Sequence, residues 1–149
     1  YRTMWIKLGP RLWPLKLSDM LMLGDVDMVM LHLPFPPSVN RIWRSGKGRT
    51  YISKEYKSWK DEAMARYLEQ RSSAGNPIAG NFTYHIILDE KRRKVARDGD
   101  NRGKVVLDLL QSVGLIEDDK LADAGSWSWG PVDGGGCIVR AYGKIKVAA

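Results

Sequence analysis

From residue 28 onward the spacing of apolar positions alternates between periods near two and near three and a half, and each switch marks an element. Residues 28–34 (Met-Val-Met-Leu-His-Leu-Pro) predict a first strand, stopped by Pro34, Pro36 and Pro37. Residues 38–53 predict an extended loop or hairpin around Gly46 and Gly48, with 41–44 pairing loosely against 50–52. Ser53 is placed as a helix N-cap, and Trp59, Ala63, Met64, Tyr67 and Leu68 then recur at helical spacing over 54–70. The loop Ser72-Ser73-Ala74-Gly75-Asn76-Pro77 follows. Residues 81–89 alternate, which puts Phe82, Tyr84, Ile86 and Leu88 on the buried face of a half-buried strand.

Beyond a basic loop, Asp100 or Asn101 caps a second helix whose stripe is Val105, Val106, Leu109, Leu110 and Val113, with Gly114 as its stop. Residues 121–129 predict a strand, 131–136 a turn and 137–147 a last strand. In that last strand Val139, Ala141, Ile145 and Val147 face inward, and Arg140, Tyr142, Lys144 and Lys146 face out. The order β-α-β-α-β-β makes this an α+β fold, a mixed sheet with two helices packed on it.

Residues 1–27 mix Trp5, Trp13, Pro10 and Pro14 with isolated basic residues and show no sustained period. They are set apart as an N-terminal extension, with 28–149 as the folded domain and Met28 or Met30 as a natural start for it. The chain opens on Tyr1, which points to a fragment, a processed form or an upstream read-through. A signal peptide is not expected, because Lys16, Ser18 and Asp19 interrupt the apolar stretch 15–23.

Composition narrows the class. At 149 residues, 44% hydrophobic and 28% charged, the chain is long enough for one domain with a real core. The net charge of +7 favours a polyanionic partner. No apolar run is long enough to span a membrane. Cys137 stands alone, which rules out an intrachain disulfide and suits the reducing cytoplasm.

The densest chemistry lies in Arg97-Asp98-Gly99-Asp100-Asn101-Arg102-Gly103-Lys104, preceded by Lys91-Arg92-Arg93-Lys94 and followed by Asp118-Asp119. Carboxylates repel a phosphate backbone, so carboxylates beside DNA-seeking cations make sense if a divalent ion stands between them and the phosphate. In an extended segment Asp98 and Asp100 point the same way. Asp100, Lys104 and Asp108 share a helix face, and Asp118-Asp119 folds back towards it. An oxygen-only donor set suits Mg²⁺ or Mn²⁺, and the lack of His and Cys argues against zinc. Lys104 is then placed to hold a non-bridging oxygen or to stabilise the leaving oxygen. Each piece has a plainer use: Asp-x-Asp as a solvated loop or cap, Asp118-Asp119 as a turn, and residues 91–94 as a solvated loop.

Two blocks add a resemblance. Leu33-Pro34-Phe35-Pro36-Pro37-Ser38-Val39-Asn40-Arg41, then Arg44 and Gly48-Arg49-Thr50-Tyr51-Ile52-Ser53, resembles the opening of the RusA-type Holliday-junction resolvases. Arg97-Asp98-Gly99-Asp100-Asn101 with Lys104, Asp108 and Leu109, then Gly114-Leu115-Ile116 and Asp118-Asp119, resembles that family's catalytic segment. The resemblance covers about residues 28–147. It implies that Asp98, Asp100 and Asp119 are catalytic metal ligands, with Asp118 sharing or supporting that role, and that Lys104 is the essential lysine. It further implies that Arg97 and the basics before it contact DNA, and that the protein is a homodimer cutting four-way junctions with Mg²⁺ or Mn²⁺. It also implies the phage or prophage setting common in the family; no organic cofactor and no membrane are expected. Gly99 departs from the family, standing where a larger apolar residue is often found, and is expected to loosen the loop.

Arg41, Arg44, Lys47 and Arg49 are read as either DNA contacts or solubilising charge, and Asn40 as a turn residue or a backbone contact near the junction centre. Trp127 and Trp129 share a strand face, which suits core or dimer packing, with stacking on an unpaired base as the alternative. His32 is taken as structural, His85 as facing solvent or an interface, and Trp59 as a core anchor. The rival functions are a non-catalytic basic DNA-binding protein and a metal nuclease acting on another branched or RNA substrate.

Overall fold

The computed structural model describes residues 27–96 and 98–143, the side chains of Arg41 and Arg44 excepted. The expected features at 1–26, at Arg97 and at 144–147 lie outside the described residues. The elements are β1 (Met28–Leu33), β2 (Trp43–Gly46), β3 (Arg49–Ile52), α1 (Lys54–Gln70), β4 (Phe82–Asp89), α2 (Gly103–Ser112), β5 (Ala122–Gly130) and β6 (Cys137–Gly143). A four-stranded sheet runs β1-β6-β4-β5, antiparallel except for the parallel pair β4–β5, and β2–β3 form a separate hairpin. The expected α+β architecture, a mixed sheet with two helices, is the one observed.

Ser53 caps α1 as its sequence position requires, its hydroxyl accepting from Tyr56 N at 3.2 Å. The helix buries Trp59 and Ala63, and the Trp59 indole donates to Pro34 O at 3.0 Å. Leu68, expected on that face, is 53% exposed. Five residues beyond Ala63 it is turned about 140° away, at about 100° per residue. Gln70 uses its side-chain amide to close the outer edge of β1, accepting from His32 N and donating to His32 O. His32 is structural as expected, its Nε2 lying 2.6 Å from Gly135 O.

β4 corrects a larger expectation. It is a central strand buried on both faces, not one face. Phe82, Ile86 and Leu88 join the helix-covered core, while His85, expected at solvent or an interface, is 4% exposed. Its ring lies between two hydroxyls of β5, Nδ1 2.6 Å from Ser126 Oγ and Nε2 2.9 Å from Ser128 Oγ. Burial, then the Arg140 charge, lowers its pKa. The last strand behaves similarly: Val139 and Ala141 are buried as expected, but Tyr142 on the opposite face is buried too.

α2 is the more buried of the two helices, with Val105, Val106, Leu107, Leu109 and Leu110 all inside. It begins later than expected. Asp100 and Asn101 lie in a preceding 3-10 turn (Gly99–Arg102), and neither caps the helix. Its end is as expected, at Gly114 with φ +80°.

Candidate active site

The site is assembled at the first turn of α2. Lys104 Nζ lies 2.6 Å from Asp119 Oδ2 and 3.3 Å from Asp108 Oδ1. The helix supplies Lys104 and Asp108 one turn apart, and the chain after Gly114 folds back to supply Asp119. Gln111 secures that return, its Oε1 accepting from Asp119 N at 3.1 Å. Asp118 begins a 3-10 turn (Asp119–Leu121) and accepts from Lys120 N at 2.9 Å. Asp119 is held below the ordinary carboxylate pKa, first by its hydrogen bond from Lys104 and then by hydrogen bonding with Asp118. Lys104 is raised, chiefly by Asp119. The Tyr84 hydroxyl reaches this corner, packing on Gly103 and Gly125, and its pKa is raised by burial and then by Asp119.

Asp98 belongs to a second knot. Arg102 Nη2 donates to Asp98 Oδ1 at 2.7 Å, and Arg102 Nη1 donates to Pro36 O. The Ser38 hydroxyl, then Arg102, hold the Asp98 carboxyl below its ordinary value. Phe35 completes the knot: its ring centre is 4.9 Å from the Arg102 guanidinium carbon and 4.7 Å from that of Arg92, and it stacks on Trp129 at 6.3 Å. The two sequence blocks, 33–53 and 97–119, are therefore joined by Ser38, Pro36 and Phe35 meeting Asp98 and Arg102. The sequence singles out none of Phe35, Ser38, Arg102 and Tyr84 as a site residue, Tyr84 being expected only on the buried face of its strand. The first two stand in plain view among the prolines, whereas nothing in the spacing of Arg102 or Tyr84 announces their contacts.

One geometric expectation is overturned. Asp98 (φ −97°, ψ 62°) and Asp100 are not in an extended segment, since Asp98 leads into the 3-10 turn and Asp100 lies inside it. The turn begins after Asp98, so the alternation that would align two carboxylates in an extended segment does not hold here. Asp98 accordingly turns inward to Ser38 and Arg102, while Asp100 is exposed. Among the described residues no three Asp, Glu, His or Cys side chains stand together as a metal-holding group. The donor chemistry still fits a hard cation, because all the acidic groups offer oxygen. The arrangement is an open one balanced by Arg102 and Lys104, and a closed cage is not what Mg²⁺ requires when it shares substrate oxygens.

Gly99 is buried, and a Cβ there would lie 2.5–2.8 Å from three neighbouring ring atoms of Trp127. The missing side chain thus lets the indole close on the turn, so Gly99 tightens the packing that it was expected to loosen. Around the site, Lys91, Arg92, Arg93 and Lys94 are exposed, the first two within a short 3-10 turn (Glu90–Arg92). Asn40 is exposed in another such turn (Val39–Arg41) that packs against the Gly99–Arg102 turn. Arg49 is exposed on the hairpin, whose tip carries Lys47 at φ 50° and Gly48 at φ 72°. Among the described residues no helix is long and apolar enough to cross a membrane.

Comparison with known proteins decides the family. Residues 34–131 match the family described as endodeoxyribonuclease RusA. The chain belongs to the RusA family. It is 32% identical over 89 residues to the crossover junction endodeoxyribonuclease RusA of Shigella sonnei, covering 60% of this chain and 72% of that protein. The proteins of that name in Escherichia coli K12 and Enterobacteria phage 82 are 31% and 32% identical over the same shares. The matched span holds both blocks of the site, from Pro34 through Asp119, as well as Trp127 and Trp129.

Proposed function

We propose that this RusA-family protein is a Holliday-junction resolvase, an endodeoxyribonuclease that hydrolyses phosphodiester bonds at paired positions in four-way DNA junctions during recombination and repair. Its relatives carry the name crossover junction endodeoxyribonuclease. The observation that carries the reading is the Lys104 ammonium on Asp119, fifteen residues away in the chain, at the same helix end as the Asp98–Arg102 knot.

Asp98, Asp100 and Asp119, with Asp118 in support, are the residues that would hold Mg²⁺ or Mn²⁺. The chemistry such an ion supplies when bound is neutralisation of phosphate charge and acidification of water. Lys104, kept protonated by Asp119 and Asp108, is positioned to stabilise charge on a phosphoryl or leaving oxygen. Lys91, Arg92, Arg93 and Lys94, with Arg97, Asn40, Arg41, Arg44 and Arg49, hold flanking backbone without reading sequence. A homodimer suits the substrate, because a two-fold pair of sites matches the approximate two-fold symmetry of a four-way junction. The work is cytoplasmic, and hydrolysis needs no organic cofactor.

Synthetic four-way junctions assayed against linear duplex, with Mg²⁺ and with EDTA, test this. The expected result is symmetric cutting of the junction in Mg²⁺ alone. Binding without cutting under any divalent metal would reduce the protein to a DNA-binding module. Equal cutting of flaps, RNA or duplex would assign it another substrate.

A further inference from the structure

Trp127 is a large aromatic side chain left 40% exposed one packing layer from the catalytic segment. Its position is fixed from three sides. The hypothetical Gly99 Cβ would lie at 2.5, 2.7 and 2.8 Å from Cζ3, Cη2 and Cε3 of the ring. Such near-equal distances to three consecutive atoms belong to an atom over the ring face, since at the rim the outer two would be much farther. The backbone between Asp98 and Asp100 therefore covers part of one indole face. Trp129 meets the ring edge-to-face, with centroids 5.8 Å apart and planes at 87°, and is itself anchored on Phe35. Below the strand, His85 holds the flanking Ser126 and Ser128 hydroxyls.

We infer that Trp127 is a stacking platform for a nucleobase unstacked at the branch point, laid beside the phosphate that the catalytic segment attacks. This rests on the resolvase reading. A rigid, half-exposed indole suits a base because every base has a π-face and a preset ring loses little freedom on binding. The surroundings favour DNA over an apolar protein partner: the exposed cations 91–94 shortly precede the same turn in the chain, Arg92 sits over the Phe35 ring that stacks on Trp129, and the chain carries net charge +7. A base on the uncovered part of the ring lies one aromatic layer from the turn holding Asp98 and Asp100. The ring thus links recognition of an open branch point to the position of the cut, which phosphate contacts alone cannot do.

The test uses junctions carrying 2-aminopurine at each position flanking the branch point, bound in EDTA by the wild type, Trp127→Leu and Trp127→Phe. Leucine fills the space without a π-face, and phenylalanine keeps one. The expected result is a fluorescence change of at least twofold at one position for the wild type, retained in good part by W127F and lost by W127L. Junction affinity should fall about tenfold in W127L, within the range for removing one base–aromatic stack, and cut positions in Mg²⁺ should scatter. An unchanged signal in W127L, or a W127L chain that turns monomeric where the wild type is dimeric, would overturn the inference; the second outcome makes the ring a subunit contact. If the wild type shows no preference for junctions over duplex, the resolvase reading falls first. If it prefers junctions but gives no W127L-sensitive signal, this inference alone falls.

Discussion

Two groups of cations sit within a few residues of each other and differ in what holds them. Arg102 and Lys104, at the start of α2, are each tied to carboxylates at 2.7 and 2.6 Å. Lys91, Arg92, Arg93 and Lys94 are exposed, as are Lys47 and Arg49 on the hairpin. Phe35 is shared, with Arg102 on it from the first group and Arg92 from the second. On the proposed function, the difference is one of task. A cation that must meet charge appearing on one oxygen is preset by its partners, so little reorganisation is left for the reaction. A cation that must follow a backbone without reading sequence is left in water, where it can adjust to the phosphate and release counterions.

The sharpest way to break this contrast is to remove the preset group. Lys104→Ala is expected to lower cutting about 10²–10³-fold, the range for removing one charge-stabilising donor. Asp98→Asn, Asp100→Asn and Asp119→Asn are expected to abolish cutting, as is EDTA. Junction binding survives in all of them, because taking away negative charge does not weaken attraction to phosphate. Paired gel-shift and cleavage assays read both quantities. Full cutting by the three asparagine variants would dissolve the distinction between the groups.

Neutralising the exposed group should do the reverse. Replacing Lys91, Arg92, Arg93 and Lys94 by alanine is expected to weaken binding and to flatten the logarithmic salt dependence by about 0.9 for each phosphate no longer neutralised. The cutting rate of the saturated complex should stay within about twofold of wild type, since no donor to the developing charge has gone. Titrations at several salt concentrations measure the slope, and an unaltered slope would make residues 91–94 ordinary solvated charge.

That these two groups differ was only half legible in the chain itself. The residues were: the spacing of Asp98, Lys104, Asp108 and Asp119 pointed to one helix end, and the Lys104–Asp108 and Lys104–Asp119 pairs are there. Their orientation was not. A stretch of aspartates reads as extended by default, and only the contacts of Arg102 with Pro36 and Asp98 show why it closes into a 3-10 turn. The fold shows the same split. Local signals placed α1 to the residue, because Ser53 and the apolar period speak for themselves. Burial on the second face of β4 depends on Ser126 and Ser128, some forty residues away, and alternation alone cannot reveal it. Nothing local to Gly99 discloses the Trp127 ring that its missing side chain accommodates.

The shared ring allows a finer test. Arg102→Met removes a largely buried guanidinium together with its bonds to Asp98 and Pro36. Hydrogen bonds to charged groups contribute roughly 1.5–3 kcal/mol each, so a loss of about 3 kcal/mol in unfolding free energy is expected. Arg92→Ala removes the other cation from Phe35 and is expected to cost about 0.5–1 kcal/mol, the value of an exposed cation–π contact. Denaturant unfolding compares them. Equal costs would mean that Phe35 merely happens to lie between two solvated arginines.

The smallest expected effect is also the most specific to the preset group. Lys104 has a raised pKa, so its stabilisation is complete below the ordinary lysine value and fades as pH rises through the folded one. Asp119 has a lowered pKa, so its share is complete above the ordinary carboxylate value and fades as pH falls through the folded one. The pair therefore stabilises most across the middle of the pH range and vanishes at both ends. Lys104 is 59% exposed, so solvent screening keeps the contribution within about 1 kcal/mol. Melting curves of wild type and Lys104→Met in EDTA should differ most near neutrality, converge in acid and in alkali, and close up in high salt. The Asp119 carboxyl followed by NMR should titrate at higher pH once Lys104 is gone. A melting difference that ignored pH would trace the effect to the packing of the lysine stem, leaving Lys104 no more preset than the cations of residues 91–94.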